Sequence, residues 1–185
     1  MEKKENYSYI ELILFLFVFL VVLYALVDLS FLKKPYHFDE IKYLEMANEI
    51  KFNDIFKNFN LFSLSHSPLM QFISKISFSL FDSPILIFLF NSFLRILSIL
   101  LLLKVIDCHT SKNFLWLKLI VIIDPLQNYY AISFLKETQV SFGIILFFYS
   151  FYFKNYKLLI LSLLIVMLSR NVFTPFLLLF IFYDF

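Results

Sequence analysis

Long apolar stretches separated by short polar segments constrain this chain more than any other feature. A lipid bilayer with a hydrocarbon core about 30 Å thick needs about 20 apolar residues in each helical span. The chain is 61% hydrophobic and 16% charged, whereas a soluble domain is about half apolar and about a quarter charged. The pattern predicts an all-α polytopic membrane protein, a single transmembrane domain over residues 1–185. Its predicted spans, about five, cover residues 9–32, 84–106, 113–126, 138–153 and 158–183.

The first span is predicted to be an uncleaved anchor. Its apolar stretch runs over residues 10–32, longer than the apolar region of a signal peptide, which has about 7–15 residues. Lys33, Lys34 and Pro35 follow it without a small-residue cleavage site. Cys108, the single cysteine of the chain, leaves no internal disulfide to stabilise the fold.

The distribution of charge and glycine excludes two kinds of ligand site. Lysines and arginines are scattered between the spans and form no basic stripe interleaved with aromatic residues, so no nucleic-acid partner is expected. The chain contains one glycine, which excludes a Gly-rich phosphate loop.

Lysines in the short loops predict the orientation of the chain in a membrane. The positive-inside rule assigns such loops to the cytoplasm, which predicts a multi-pass protein of the cell (cytoplasmic or inner) membrane with a cytoplasmic N-terminus. Lys33 and Lys34 oppose this orientation, but their loop is long and also acidic. The short-loop lysines that would share the cytoplasmic side are Lys3, Lys4, Lys104, Lys112, Lys154 and Lys157.

The polar segment 33–83 is predicted to be a structured loop on the outer face. Residues 39–50 have apolar side chains at helical spacing on one side and charged side chains on the other, which indicates an amphipathic helix. Residues 67–81 form a short apolar stretch interrupted by Gln71 and Lys75, and this stretch is expected to lie along the membrane surface.

Asp39, Glu40 and His66 are candidates for chemistry in this loop. Asp39 and Glu40 begin the amphipathic segment, where an aspartate can cap a helix and a glutamate in the first turn suits the helix dipole. Asp39 can equally serve as a general base. His66 can contact a phosphate or carboxylate at the membrane boundary, or it can be a solvated loop residue.

Arg95 and Arg170 lie within predicted spans, where ionisable side chains usually face the interior of the bundle or a wet cavity. The guanidinium group suits bidentate contact with phosphate, so both are candidate substrate-binding residues, although a snorkelling arginine is the competing interpretation. Pro125 should break or kink the third span. Lys136 and Glu137 follow that break. Glu137 can face a cavity on the outer side of the membrane, together with Asp39, or it can stabilise the first helical turn.

Taken in order, these pieces resemble the GT-C superfamily of polytopic membrane glycosyltransferases, which includes protein O-mannosyltransferases and lipid A aminoarabinose transferases. The family pattern has an outer loop that opens with an acidic motif, then a His-Pro-Pro-like motif, an arginine-bearing span, a span ending in proline with a basic-acidic pair after it, and a further arginine. The corresponding residues are Asp39-Glu40-Ile41-Lys42-Tyr43-Leu44-Glu45-Met46-Ala47, His66-Ser67-Pro68-Leu69, Arg95-Ile96-Leu97-Ser98, Pro125 with Lys136-Glu137, and Ser169-Arg170-Asn171. Ser67 stands where the family pattern has a proline.

The resemblance implies direct, inverting transfer of a sugar from a polyprenyl-phosphate donor to an acceptor at the outer face. It implies Asp39 as the base, with Glu40 beside it, and Arg170 at the departing phosphate, assisted by His66 or Lys136. Neither a cofactor nor a metal is expected, although some relatives use a divalent metal. The donor and the bilayer are the implied partners, with an unidentified acceptor and other membrane subunits as further candidates.

Two other functions fit the same residues. Family members commonly have many more spans, so the chain is also consistent with a fragment or with a non-enzymatic scaffold in envelope polysaccharide synthesis. A small transporter is the third interpretation, with Arg95 and Arg170 along its pathway. Transporters are often built from repeated halves with broken helices, whereas this chain has no repeat and a single candidate break, at Pro125.

Overall fold

The computed structural model describes residues 67–82, 84–109, 115–132 and 135–184, together with Glu45. These residues form helices and no strands, as predicted. The helices are α1 (Pro68–Phe81), α2 (Ile85–His109), α3 (Leu115–Ile123), α4 (Pro125–Ala131), α5 (Glu137–Tyr152), α6 (Tyr156–Arg170), a 3₁₀ turn (Asn171–Phe173) and α7 (Thr174–Asp184).

The predicted first span and most of the predicted outer loop lie outside the described residues. Within residues 1–66 the structure describes only Glu45, which is helical and exposed. The uncleaved anchor and the amphipathic helix over residues 39–50 therefore stay predictions.

Helix α2 coincides with the predicted span 84–106. It contains 25 residues and is about 37 Å long at the α-helical rise of 1.5 Å per residue, more than the thickness of a bilayer core. By length and composition, it is the one helix in the described part of the chain that qualifies as a candidate membrane span.

Helix α1 lies across the beginning of α2. Met70 packs against Ile87, and the Ser77 hydroxyl accepts a hydrogen bond from the backbone N–H of Leu86 at 3.0 Å. Met70 and Ser77 are separated by about 10 Å along their own helix, yet their contacts on α2 are adjacent residues. A helix that ran alongside α2 would contact residues further apart, so α1 crosses it.

Helices α3 and α4 together run antiparallel to α2. Lys118 in α3 forms an ion pair with Asp107 near the end of α2, and the Ser92 hydroxyl near the start of α2 donates to the Ala131 carbonyl of α4 at 3.5 Å. The helix breaks between these two contacts at Asp124, directly before Pro125. The break predicted at this proline is therefore present.

Helices α5 and α6 form a tight antiparallel hairpin around Gly143. Fully buried Val166 and Phe147 belong to the core between α5, α6 and α7. A Cβ atom added to Gly143 would lie 2.6 Å from Cγ2 of Val166 and 3.3 Å from its backbone nitrogen. The absence of a side chain at this position therefore allows the two helices to approach closely, as small residues do in membrane bundles.

The predicted fifth span, 158–183, is not one continuous helix, and that prediction is wrong. Helix α6 ends at Arg170 and the chain turns through the 3₁₀ segment into α7. The Phe180 ring then lies 5.6 Å from the ring of Phe148 in α5, so α7 runs back along the hairpin. Pro175 provides the physical reason, because it has no N–H for the Asn171 carbonyl and its ring blocks a continuing helix.

The bundle has an apolar core, but it also exposes many large apolar side chains and buries many polar ones, which is uncommon in water-soluble proteins. The exposed apolar side chains include Leu80 at 68%, Leu179 at 64% and Ile123 at 63% of full exposure. The buried polar side chains include Ser74, Ser77, Asn91, Ser92, Arg95, Ser98, Asn128, Thr138, Gln139, Ser150, Ser162 and Ser169.

Replacement of Gly143 tests the close approach of α5 and α6. We expect Gly143→Ala to lower the free energy of unfolding by about 1 kcal/mol, because overpacking costs about 1–3 kcal/mol while the gain in helix propensity returns about 1 kcal/mol. In a Val166→Ala background the contact with Cγ2 is gone and the contact with the backbone nitrogen remains, so the same change should cost less. Denaturant unfolding in one detergent measures both effects, and an equal loss in the two backgrounds would contradict the packing described here.

Candidate functional site

Several polar side chains converge at one end of the bundle, which we call the polar end. They are Ser67, Glu137, Thr138, Gln139, Ser169, Arg170 and Thr174. These residues come from four parts of the chain: the residue before α1, the first turn of α5, the end of α6 and the start of α7.

Contacts between the helices establish that these residues share one end. Glu137 is six residues before Gly143, and Arg170 is four residues after Val166, which Gly143 faces. At 1.5 Å per residue both therefore lie about 6–9 Å beyond that contact, in the same direction along the hairpin. The Gln139 amide lies 3.4 Å from the sulfur of Met70, which brings the first turn of α1 to the same place.

The polar end contains buried polar atoms that have no hydrogen-bond partner among the described residues. They are Ser67 Oγ, Glu137 Oε2, Thr138 Oγ1, Gln139 Oε1, Ser169 Oγ, Arg170 Nε and Thr174 Oγ1. A buried polar atom without a partner costs about 1–3 kcal/mol. A polar ligand that supplied these partners would recover that free energy.

The helical serines elsewhere in the bundle behave differently. The hydroxyls of Ser74, Ser98 and Ser150 each donate to the carbonyl four residues earlier in their own helix, and Ser162 donates to the carbonyl of Leu159. Such bonds to the preceding turn are the usual way to satisfy a helical hydroxyl in apolar surroundings. Ser169 is equally buried and makes no such bond, which sets the polar end apart.

Glu137 and Arg170 supply opposite charges at this end. Both side chains are half-buried, and neither forms an ion pair with a described residue. The Arg170 guanidinium carbon lies 5.5 Å from the centre of the Phe173 ring, close enough for a cation–π contact. This ring orients the guanidinium group while its Nε stays without a partner. Lys136, the residue before α5, is buried nearby.

Arg95 lies deeper in the bundle and contacts the broken helix. Its side chain is 2% exposed. Its Nη2 donates to the Val121 carbonyl at 2.7 Å, and its Nε donates to Oδ1 of Asn128 at 2.9 Å. Val121 is four residues before Pro125, and it is the carbonyl that loses its helical partner because proline has no N–H. Arg95 therefore replaces the hydrogen bond that Pro125 removes.

The other backbone groups exposed by this break also have partners. The Asp124 carboxylate accepts hydrogen bonds from the backbone N–H groups of Leu126 and Gln127, at 3.1 and 3.2 Å. The Asn128 amide donates to the Ile122 carbonyl at 3.0 Å. The contacts of Arg95 are therefore structural ones, and its role in substrate binding stays a prediction.

A second set of amide contacts connects the break to the polar end. The Asn91 amide donates to the Leu135 carbonyl at 2.9 Å, and its Oδ1 accepts from the Gln139 amide at 3.3 Å. Asn91 is one turn from Arg95 on α2. The face of α2 that holds the broken helix thus also fixes the residues that lead into α5 and its first turn.

The described residues bring two of the predicted site residues, Glu137 and Arg170, to one end of the bundle, with Lys136 beside them. Asp39, Glu40 and His66 lie outside the described residues, although His66 directly precedes Ser67 in the chain. In the described part of the chain, no group of three or more His, Cys, Asp or Glu side chains could hold a metal ion.

Comparison of the chain with protein-family models, with curated proteins and with solved structures finds no match. The resemblance to the GT-C superfamily therefore stays a prediction that depends on the sequence motifs.

The sequence interpretation did not identify Asn91, Asn128, Thr138 or Gln139, and it named Ser169 only as part of the Ser169-Arg170-Asn171 motif. A signal for them existed, because amides and hydroxyls inside apolar spans are expensive unless they have partners. The sequence did not show which of them are satisfied within the bundle and which are not, since that depends on helices that meet only in the folded chain.

A double-mutant cycle tests the relation between Arg95 and Pro125. We expect Arg95→Met to lower the free energy of unfolding by about 2–4 kcal/mol, because it leaves the Val121 carbonyl and the Asn128 amide oxygen without donors. Pro125→Ala restores an N–H for Val121, so the double variant should be more stable than the sum of the single changes by about 1 kcal/mol or more. Arg95→Met combined with Leu126→Ala, a change at an exposed side chain, is the matched control and should be additive. Additivity in both cycles would contradict the assignment.

Proposed function

We propose that the chain is a multi-pass membrane glycosyltransferase of GT-C type, or a truncated relative of one, that uses a polyprenyl-phosphate sugar at its polar end. The observation that carries this proposal is the set of buried, unpartnered polar atoms around Glu137 and Arg170. A sugar phosphate supplies what these atoms lack, namely hydroxyl groups for the amide and carboxylate oxygens and anionic oxygens for the guanidinium.

The exposed apolar side chains and the buried polar side chains of the bundle support the membrane part of the proposal. Exposed leucine, isoleucine and phenylalanine side chains on every helix from α1 to α7 would be an extensive apolar surface in water, where such patches drive aggregation or association. In a bilayer these side chains contact lipid acyl chains, while the serines, amides and Arg95 lie inside the bundle, away from lipid. We propose that α2, the α3–α4 pair, α5 and α6 cross the bilayer.

Arg170 is proposed to contact the donor phosphate. A guanidinium group binds phosphate oxygens with two parallel N–H bonds, and electrostatic stabilisation of the charge that develops on a leaving group is commonly a large part of catalysis. Glu137 is proposed to accept a hydrogen bond from a sugar hydroxyl. The buried amide of Gln139 and hydroxyls of Thr138 and Ser169 would orient the same sugar.

The proposed reaction follows the direct, inverting course. The acceptor hydroxyl oxygen forms a bond to the anomeric carbon as the bond between that carbon and the phosphate oxygen breaks. The hydroxyl proton passes to a carboxylate, for which Asp39 with Glu40 beside it is the proposed base. The bonding electron pair leaves on the polyprenyl phosphate, whose added negative charge Arg170 stabilises, with His66 or Lys136 assisting. A phosphate leaving group does not need the general acid that glycosidases use.

Replacement of Arg170 tests the proposed phosphate contact. We expect Arg170→Met to abolish binding of geranyl phosphate to the purified protein in lipid nanodiscs, and Arg170→Lys to weaken it about tenfold or more, since a lysine cannot make the bidentate contact. Lys157→Gln, at the opposite end of α6, is the control and should bind as the unchanged chain does. Equal binding by all variants would remove Arg170 from the site.

The transfer reaction is tested with a panel of polyprenyl-phosphate sugars, by release of the polyprenyl phosphate. Asp39→Asn should abolish release and leave geranyl phosphate binding intact, because the base acts on the acceptor. A chain that binds geranyl phosphate but releases none with any donor would contradict the enzyme and favour the scaffold interpretation.

The single cysteine allows a test of the membrane orientation. Cys108 is exposed near the end of α2, and Asp82 precedes the start of α2 at the other end. In intact cells a membrane-impermeant maleimide should label Asp82→Cys in a Cys108→Ser background and should not label Cys108 itself. Cys108 should become labelled once the membrane is opened. Labelling of Cys108 from outside would reverse the predicted orientation.

A further inference from the structure

An apolar groove lies between α2 and α5 at the end of the bundle opposite the polar end. Its volume is about 560 Å³, within the range of about 300–1,000 Å³ typical of small-molecule sites. The groove opens on the surface of the bundle and is lined mainly by Leu102, Val105, Ile145, Phe148, Tyr149 and Tyr152. Its walls are therefore apolar and aromatic along most of their length.

Two lysines stand at the groove. Lys154 is part of its lining. The ammonium group of Lys104, the residue before Val105 on α2, lies 5.6 Å from the centre of the Tyr149 ring and 5.7 Å from that of Phe153. Both side chains are exposed. The nearest acid on α2 in sequence, Asp107, forms an ion pair with Lys118.

The backbone at Lys154 is unusual for a lysine. Its φ of 52° is in the left-handed region, which glycine adopts without strain and other residues avoid. The surrounding bonds are those of a helix C-terminal motif that normally ends in glycine: the N–H of Lys154 donates to the Phe151 carbonyl at 3.2 Å, and that of Asn155 to the Ser150 carbonyl at 2.8 Å. The bonds of this turn are made by backbone atoms, and a glycine would make them with less strain.

We propose that this groove binds one acyl chain of an acidic phospholipid, with the lipid phosphate held between Lys104 and Lys154. Charge complementarity identifies the occupant, because two lysines beside an apolar groove match an anionic headgroup attached to a hydrocarbon chain. A polypeptide segment fits poorly, since its backbone polar groups would find few partners on these walls. The site is separate from the polar end and does not depend on the proposed glycosyltransferase activity.

The lipid would also stabilise the bundle. Lys104 belongs to α2 and Lys154 lies two residues after the end of α5, so one phosphate would connect the two helices at the end where the His109 and Tyr152 rings lie 4.8 Å apart. Binding to the folded state alone raises stability by mass action. Acidic lipid should therefore raise the melting temperature of the unchanged chain.

The test compares phosphatidylglycerol with phosphatidylcholine of the same acyl chains, bound to the full chain and measured by native mass spectrometry. We expect a preference for phosphatidylglycerol that falls about fivefold in Lys104→Gln and about fivefold in Lys154→Gly, which is the contribution of one lysine near an anionic lipid. Lys157→Gln removes an exposed lysine at the same end of the bundle that does not line the groove, and it should keep the preference.

Two features keep the test independent of folding. Lys154→Gly suits the left-handed backbone, so this variant should melt in detergent at or above the temperature of the unchanged chain while losing lipid preference. Val105→Trp fills the groove and should remove the bound lipid of both types, whereas Ile160→Trp, on an exposed position of α6, should not.

Three results would overturn the proposal. The first is an unchanged preference in both Lys104→Gln and Lys154→Gly, and the second is an equal loss in Lys157→Gln, which would indicate general attraction to the surface. The third is displacement of the lipid by soluble glycerol phosphate, which would indicate a phosphate site without a chain. Geranyl phosphate also joins a phosphate to a hydrocarbon chain, so its binding at Arg170 is measured in a Lys104→Gln, Lys154→Gly background, and the two proposals then fail separately.

Discussion

The hydrogen bond from Arg95 to the Val121 carbonyl is the contact on which the rest of the structure depends. A proline inside a helix removes one backbone donor, and an apolar environment offers no water to replace it. Here the replacement comes from a buried guanidinium on a neighbouring helix, 2.7 Å from the carbonyl, while Asp124 caps the helix that begins again. The backbone groups exposed by the break at Asp124 therefore have hydrogen-bond partners, and α2 supplies the partner of the Val121 carbonyl.

The same face of α2 positions the candidate site. Asn91, one turn before Arg95, bonds to the Leu135 carbonyl and to the Gln139 amide, so the residues that enter α5 are held by the helix that holds the break. The first turn of α5 then meets the end of α6 because Gly143 permits close packing one and a half turns below. Hydrogen-bonded polar groups inside the bundle, such as Asn91, thus position the polar atoms at its end that have no partner.

The two ends of the bundle differ in chemistry. At the polar end, buried hydroxyls, one amide oxygen, one carboxylate oxygen and one guanidinium nitrogen lack hydrogen-bond partners, which suits a ligand with many hydrogen-bonding groups. The opposite end has an apolar groove with exposed lysines, which suits a ligand that is mostly hydrocarbon and carries a negative charge.

The apolar stretches by themselves determined that the chain is helical, where α2 lies, and that Pro125 breaks the third apolar stretch, because hydropathy and proline act locally. The sequence also indicated Glu137 and Arg170 as charges of interest, since charged residues in apolar stretches are few. Only the tertiary structure decided that Arg95 donates to the carbonyl left without a partner at the break, and that α7 folds back from α6. It also decided which hydroxyl and amide atoms have no hydrogen-bond partner. The physical reason is that a hydrogen bond between helices depends on which side chains meet across 26 to 48 residues of chain, and no local pattern encodes that meeting.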